Sequence, residues 1–194
     1  MGPADCQEME ELASGLARVA AALHYAAQQH RNQRRKDEES SPYINHPISL
    51  LHILAVEARI TDADVLCAAV LHDVIEDCAE TSGERAQRAT EIENLFGAAV
   101  LAIVKEVTDD KDLSKADRKL WQIEHARQLS HAAKLVKLAD KTANLRDVAS
   151  SPPSDWPLQR RREYFEWADA VVRNIGPAHA KLYNLFQQAY EAKP

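Results

Sequence analysis

Apolar side chains recur at three- and four-residue intervals along almost the whole of this 194-residue chain, and only 5 glycines interrupt them. That spacing places residues on one face of a helix. Ala, Leu, Glu, Gln, Lys and Arg dominate, all strong helix formers, while alternating runs of Val, Ile and Thr are nearly absent. The chain is therefore expected to be all-α, a bundle of about eight to ten helices. Its length suits a single domain, 1–194, with a sizeable core.

A first helix is expected over residues 8–30, with Leu12, Leu16, Val19, Leu23 and Ala27 on its inner stripe, after a disordered N-terminus at 1–7. The polar, basic loop RNQRRKDEESSPY follows. Pro47 suits the first turn of a helix running to about Arg59, and Asp62 can cap the next one. Residues 79–93 read as an extended polar surface loop leading into a short helix. IENLFGAAVLAIVKEVT reads as two helical pieces around Gly97, 114–129 as an exposed charged helix, and AAKLVKLADKTANLRDVA as a strongly periodic one. SSPPSDWP is a break, and two helices close the chain, from about Leu158 to Ile175 and from Ala178 to Tyr190.

A formal net charge of −6 argues against a nucleic-acid-coating protein, whose domain is usually basic. It leaves room for a small anionic ligand held by a local basic cluster. No apolar run approaches the roughly 20 residues of a membrane span, and the N-terminus MGPADCQEMEELAS has no apolar stretch of the secretory kind. Neither membrane nor nucleic acid is expected as a partner. Cys6, Cys67 and Cys78 are too far apart for a metal knuckle and odd in number, so a reducing, cytoplasmic setting is expected. Nothing in the sequence specifies an oligomeric state.

Within this apolar background LHDVIED is anomalous, because it follows VLCAAV and carries four ionisable groups. Taken as helix at about 100° per residue, His72, Asp73, Glu76 and Asp77 fall on one arc of roughly 140°. Unpaired carboxylates on one buried arc are costly, and a divalent cation removes the cost. His46, in YINHP, and Asp140, in VKLADKTANL, can complete a shell with His72 and Asp73, while Asn144 and Asp147 share the face of Asp140. Two His and two Asp make a mixed N/O donor set that suits Mn, Fe or Zn better than Ca or Mg. A cation there would lower the pKa of water towards neutrality, with Glu76 and Asp77 as proton-transfer and water-orienting groups. Spacing alone leaves a second reading open, in which a histidine satisfied in the core stands beside an Asp140 that caps or salt-bridges.

The order H…HD…D resembles the signature of the HD superfamily of metal-dependent phosphohydrolases. The strings PYINHPISLLHIL, AAVLHDVIED, LFGAAVLAIVKEVTDDK, KLVKLADKTANLRDV and EYFEWA, in this order, resemble the hydrolase domain of RelA/SpoT proteins. They are most similar to its stand-alone form, the metazoan SpoT homologue and the bacterial small alarmone hydrolases, over about residues 8–175. The resemblance implies an all-α HD domain, one Mn ion per chain, and hydrolysis of the 3′-diphosphate of ppGpp or pppGpp to GDP or GTP and pyrophosphate. It implies His46, His72, Asp73 and Asp140 as metal ligands and Glu76 and Asp77 as the catalytic acids. It also implies Arg35 and Lys36 as a basic substrate-contacting pair, Asn144 as a nucleotide contact, and Lys115, Arg160 and Tyr164 as phosphate and nucleotide contacts. For the animal form it implies an NADPH 2′-phosphatase activity as an alternative; a non-catalytic alarmone-binding module is a further rival.

HRNQRRKD supplies four Lys/Arg within eight residues, the local basic surface that an acidic protein needs for a polyanion. Arg35 can also stack on a purine. The chain departs from the family at Cys78, where a Thr is usual, and at Thr142 and Ala143, where ADKTANLR replaces ADKLYNLR or ADRLHNMR and a ring near the nucleotide is lost. The 79–93 stretch is also longer. Trp121, Trp156 and Trp167 read as packing residues. His24, His30, His52, His125, His131 and His179 fit no ligand spacing. Glu91, Glu93 and the 109–118 charge run read as solvated faces.

Overall fold

The computed structural model describes the backbone of residues 3–194 and the side chains of residues 14–194. Helical segments follow one another throughout, with no strand among the described residues. They are α1 (Pro3–Gln29), α2 (Asn45–Leu51), α3 (Ala63–Leu71), α4 (Val74–Asp77), α5 (Ser82–Phe96), α6 (Ala98–Val107), α7 (Lys115–His125), α8 (His131–Ser150), α9 (Leu158–Ile175) and α10 (Ala180–Glu191). No helix among the described residues is long and apolar enough to cross a membrane.

The centre is α3, whose VLCAAVL is buried on every side, from Val65 to Leu71. It packs against α1, α2, α6 and α8. Asp62 caps it as expected, accepting from the N–H of Asp64 at 2.9 Å and of Val65 at 3.3 Å. The other central element, α8, buries Leu135, Val136, Leu138, Ala139 and Leu145 together with the polar Lys137, Asp140, Lys141 and Thr142. Its Arg146 pairs bidentately with Glu57 at 2.6 and 3.0 Å, tying α8 to a π-helical stretch at His52–Glu57 that continues α2.

Several elements differ from expectation. α1 begins at Pro3, so residues 3–7 are helical rather than disordered, and Met1 and Gly2 lie outside the described residues. Its inner stripe is rotated. Val19, Ala22 and Ala26 are buried, whereas Leu16 is 71% exposed; the side chain of Leu12 lies outside the described residues. Most of the loop expected at 79–93 is the helix α5. Thr81 and Glu84 form a capping box, with Glu84 N–H donating to Thr81 Oγ1 and Thr81 N–H to the Glu84 carboxylate. Ile92 and Phe96 are the residues of α5 that reach the core, which is why its sequence reads as polar. Gly97, at φ +95°, supplies the left-handed break before α6.

LHDVIED is not one helix. α3 ends at Leu71, Asp73 sits at φ −96°, ψ −3°, and a single turn, α4, follows. In a straight helix adjacent residues diverge by about 100°. The break lets His72 and Asp73 converge.

Leu138 is fully buried on the inner face of α8. Leu138→Ala is expected to cost about 3 kcal/mol, within the range of about 2–5 for such truncations. The measurement is a lower denaturant midpoint at unchanged slope.

Candidate metal centre

Three elements meet at the site. His46 lies at the start of α2, His72 and Asp73 at the break after α3, and Asp140 in the middle of α8. His46, His72 and Asp140 each offer a ligand atom, all within 4.8 Å of one another. His46 Nε2 lies 3.3 Å from Asp140 Oδ1 and 3.9 Å from Asp73 Oδ2. His72 Nε2 lies 2.9 Å from Asp73 Oδ2 and 4.0 Å from Asp140 Oδ1. His72 Nδ1 is 2.8 Å from the carbonyl of Ala69, which can only accept. Nδ1 therefore carries a proton, and Nε2 is the ring atom that faces the centre.

The donor set fits a metal. Two imidazole Nε2 atoms and two carboxylates converge with His46 and His72 nearly sealed from solvent, and a cation or shared protons balance the carboxylate charge. His72 shows this balance. Burial lowers its affinity for a proton, yet the Asp73 charge and hydrogen bond outweigh burial and raise it to about 9. Burial works to raise Asp140, but the Lys141 ammonium and the His46 bond hold it well below the ordinary carboxylate range. Both Asp140 oxygens are oriented from α8 itself, Oδ1 by Asn144 Nδ2 at 2.5 Å and Oδ2 by Lys141 Nζ at 3.0 Å.

Beside this cluster stand Glu76 and Asp77. Glu76 Oε2 accepts from the Asp109 N–H at 3.0 Å. Lys111 Nζ donates to Asp77 Oδ1 at 2.6 Å and lies 3.6 Å from Glu76 Oε1. Burial, then the charges of Asp109 and Asp73, raise Glu76 to about 7. Tyr43 donates its hydroxyl to Asp73 and reaches Asp77 at 3.3 Å. Its ring stacks on buried His30 at 4.7 Å, and Cys78 Sγ lies 3.2 Å from His30 Nδ1. The Cys78 departure thus falls behind the site, on a ring that positions Tyr43.

A polar cavity of about 160 Å³ encloses the cluster, lined also by Glu76, Arg35 and Asn144. Arg35, Tyr43, His46 and Asn144 also line a larger cavity of about 550 Å³, together with Lys36, Trp156 and Tyr164. Glu76, Asp109 and Gln122 also line a third, of about 220 Å³, with Lys115, Arg160 and Tyr164. Every expected site residue therefore lines one of three adjoining spaces, with Asp77 on the large one. Arg35 is engaged already, paired with Asp147 and 5.9 Å from the Tyr43 ring centre.

Other residues at the site were not read from the sequence. Trp156 and Trp167 are cavity walls rather than simple packing. Asp109 and Lys111, in a run expected to be a solvated face, brace Glu76 and Asp77. Lys137 and Lys141 are buried beside Asp140, and two lysines inside the apolar run LVKLADK were the signal for them. Thr142 and Ala143 are core residues of α8, with Thr142 donating to the Leu138 carbonyl at 2.8 Å, and neither lines a cavity wall described above.

The family described as HD domain matches residues 22–166, the span that carries His46, His72 and Asp140. The chain is 49% identical over 177 residues to guanosine-3′,5′-bis(diphosphate) 3′-pyrophosphohydrolase MESH1 of Danio rerio, covering 91% of this chain and 94% of that one. It is 49% identical over 176 residues to MESH1 of Drosophila melanogaster, covering 89% and 94%. The solved structure of a metazoan ortholog of SpoT that hydrolyzes ppGpp superimposes with a TM-score of 0.83 at 46% identity, covering 90% of this chain and 94% of that one. The chain belongs to the HD-domain family, on its MESH1 branch.

Glu76 yields a pH prediction. Its folded value, about 7, lies above its ordinary 4.5, so the fold favours the protonated form. The resulting stability is full below the ordinary value and is lost as pH rises through about 7. Metal-stripped wild type should lose stability relative to Glu76→Gln between about pH 5 and about pH 8. Denaturant titrations at the two pH values measure it, and a gap independent of pH rejects the assignment.

Proposed function

We propose that this chain is a metal-dependent hydrolase of the 3′-diphosphate of guanosine polyphosphates, converting ppGpp or pppGpp to GDP or GTP and pyrophosphate. The observation that carries this reading is the convergence of His46, His72 and Asp140 beside Glu76, at the joint of two cavities with cationic and aromatic walls. The named activity of relatives at nearly half identity supports it.

His46, His72, Asp73 and Asp140 would hold one ion, and the mixed N/O set together with the family resemblance favours Mn. When bound, the ion supplies Lewis acidity and lowers the pKa of water. Glu76, poised at about 7, can take a proton from water and return it within one turnover. Water oxygen bonds to the phosphorus attached to the 3′-oxygen, the bond to that oxygen breaks, and the proton ends on the nucleoside 3′-hydroxyl. Asp77, fixed by Lys111 and Tyr43, orients the water. Arg35 and Lys36 border the large cavity and would meet the nucleotide there, Arg35 exchanging Asp147 for substrate. Asn144 serves the metal site first, by fixing Asp140, and borders the nucleotide second. Lys115, Arg160 and Tyr164 would hold further phosphate in the third cavity. The free thiols of Cys67 and Cys78 suit action in the cytoplasm.

Thr142 and Ala143, where the chain departs from the family, are buried in α8, so that departure gives no reason to prefer NADPH. The test is pyrophosphate release from ppGpp by metal-stripped protein before and after Mn is added. Release with GDP is expected only after addition, and His72→Ala or Asp73→Ala should abolish metal content and turnover while the circular dichroism stays helical. Turnover by a metal-free His72→Ala protein defeats the reading, and turnover of NADPH alone in a nucleotide panel replaces it.

A further inference from the structure

Lys137 and Lys141 lie one turn apart on α8, and both line the 160 Å³ cavity. Lys141 is already engaged, bonded to Asp140 at 3.0 Å and seated 4.2 Å from the centre of the Trp167 ring. Lys137 is not. It is 8% exposed, and its one hydrogen bond among the described residues goes to the Val107 carbonyl at 3.0 Å. An ammonium carries three donors, so two remain. No carboxylate of the described residues forms an ion pair with it, and a buried cation without a partner is costly.

Gln122 lines the same cavity and is also 8% exposed. Its Nε2 donates to both oxygens of Asp109, at 2.8 and 2.6 Å. Its Oε1 is buried and has no partner. A buried acceptor left unmet costs about 1–3 kcal/mol. The wall away from the nucleotide cavity therefore offers spare ammonium donors and a spare amide acceptor.

A group that satisfies both must accept and donate. At about 30 Å³ per water, the cavity has the volume of roughly five waters, which is room for a phosphoryl group and not for a nucleoside. A phosphoryl group whose second ionisation lies near 6 carries anionic oxygens, and in part a P–OH, around neutral pH. It can accept from Lys137 and donate to Gln122.

We infer that Lys137 and Gln122 form a phosphoryl subsite on the inner wall of the metal cavity, which receives the terminal phosphoryl of the scissile diphosphate and then holds the departing pyrophosphate. The identity of that leaving group rests on the pyrophosphohydrolase reading, whereas the subsite itself rests on these two side chains. Burial, then the Lys141 ammonium, lower Lys137 from its ordinary value, and an arriving anion favours its charged form.

The experiment is calorimetric titration of inorganic pyrophosphate into the manganese-loaded protein, for wild type, Lys137→Met and Gln122→Met. Thermal unfolding and metal content are checked for each. Loss of one charge-assisted hydrogen bond is expected to weaken binding roughly tenfold to hundredfold in Lys137→Met, and several-fold in Gln122→Met. Metal content should be unchanged, and Lys137→Arg should restore part of the affinity. Affinity equal to wild type in both methionine variants overturns the subsite and leaves only water there. Should Lys137→Met fail to fold, Gln122→Met decides alone. Pyrophosphate that binds through these residues in a protein that releases none from ppGpp keeps the subsite and rejects the substrate reading.

Discussion

Two buried carboxylates facing two imidazole nitrogens are the constraint on which this bundle is built. Asp73 and Asp140 converge on the Nε2 atoms of His46 and His72 from three different elements. Left to itself such a set is repulsive, and burial makes it more so. Its surroundings answer with fixed partners. Tyr43, from the turn before α2, donates to Asp73, Lys141 and Asn144 donate to the two oxygens of Asp140, and the Ala69 carbonyl accepts from His72 Nδ1. Ala69 lies on α3 and Lys141 and Asn144 on α8, so the packing of α3 against α8 also aligns these atoms. Outer-shell bonds of this kind keep a ligand set in register before any ion arrives.

Glu76 and Asp77 are placed by the same break in the chain. Had α3 run on as a straight helix, His72 and Asp73 would point about 100° apart. Ending α3 at Leu71 brings both to one centre and leaves α4 as a single turn that carries Glu76 and Asp77 beside it. Glu76 then meets the negative charge of Asp109 and Asp73 in a buried setting, and the two effects keep its proton into the neutral range. Lys111 restrains the pair from the solvent side. Ligand geometry and acid strength thus come from one local departure from helix.

Much of this was legible in the sequence, for identifiable reasons. α8 and α9 carry apolar residues at helical spacing and end near recognisable breaks, so their limits could be read closely, as could the start of α3 at its Asp62 cap. His46, His72, Asp73 and Asp140 stood out as ionisable groups inside apolar runs. α5 did not, because it buries so little that its polar face dominates the sequence, although its start signal, Thr81 followed by Glu84, was present. The chain break at His72–Asp73 and the π-helical turn at His52–Glu57 depend on tertiary packing and leave no periodic trace. Asp109, Lys111 and Gln122 were hidden for another reason. A charged loop, or a charged helix such as α7, looks solvated in sequence whether or not another element covers it.

The cationic side of the site explains how an acidic protein can receive a polyanion. A carboxylate beside each lysine would fix its position but cancel its charge. Aromatic faces position a cation and leave the charge in place. Lys119 sits 4.9 Å from the centre of the Trp167 ring and 5.8 Å from that of Tyr164, and no carboxylate of the described residues forms an ion pair with it. Lys115 and Lys119 are lowered by burial and then by neighbouring cations, the signature of like charges gathered without enough partners. A phosphate arriving there neutralises that repulsion and displaces little.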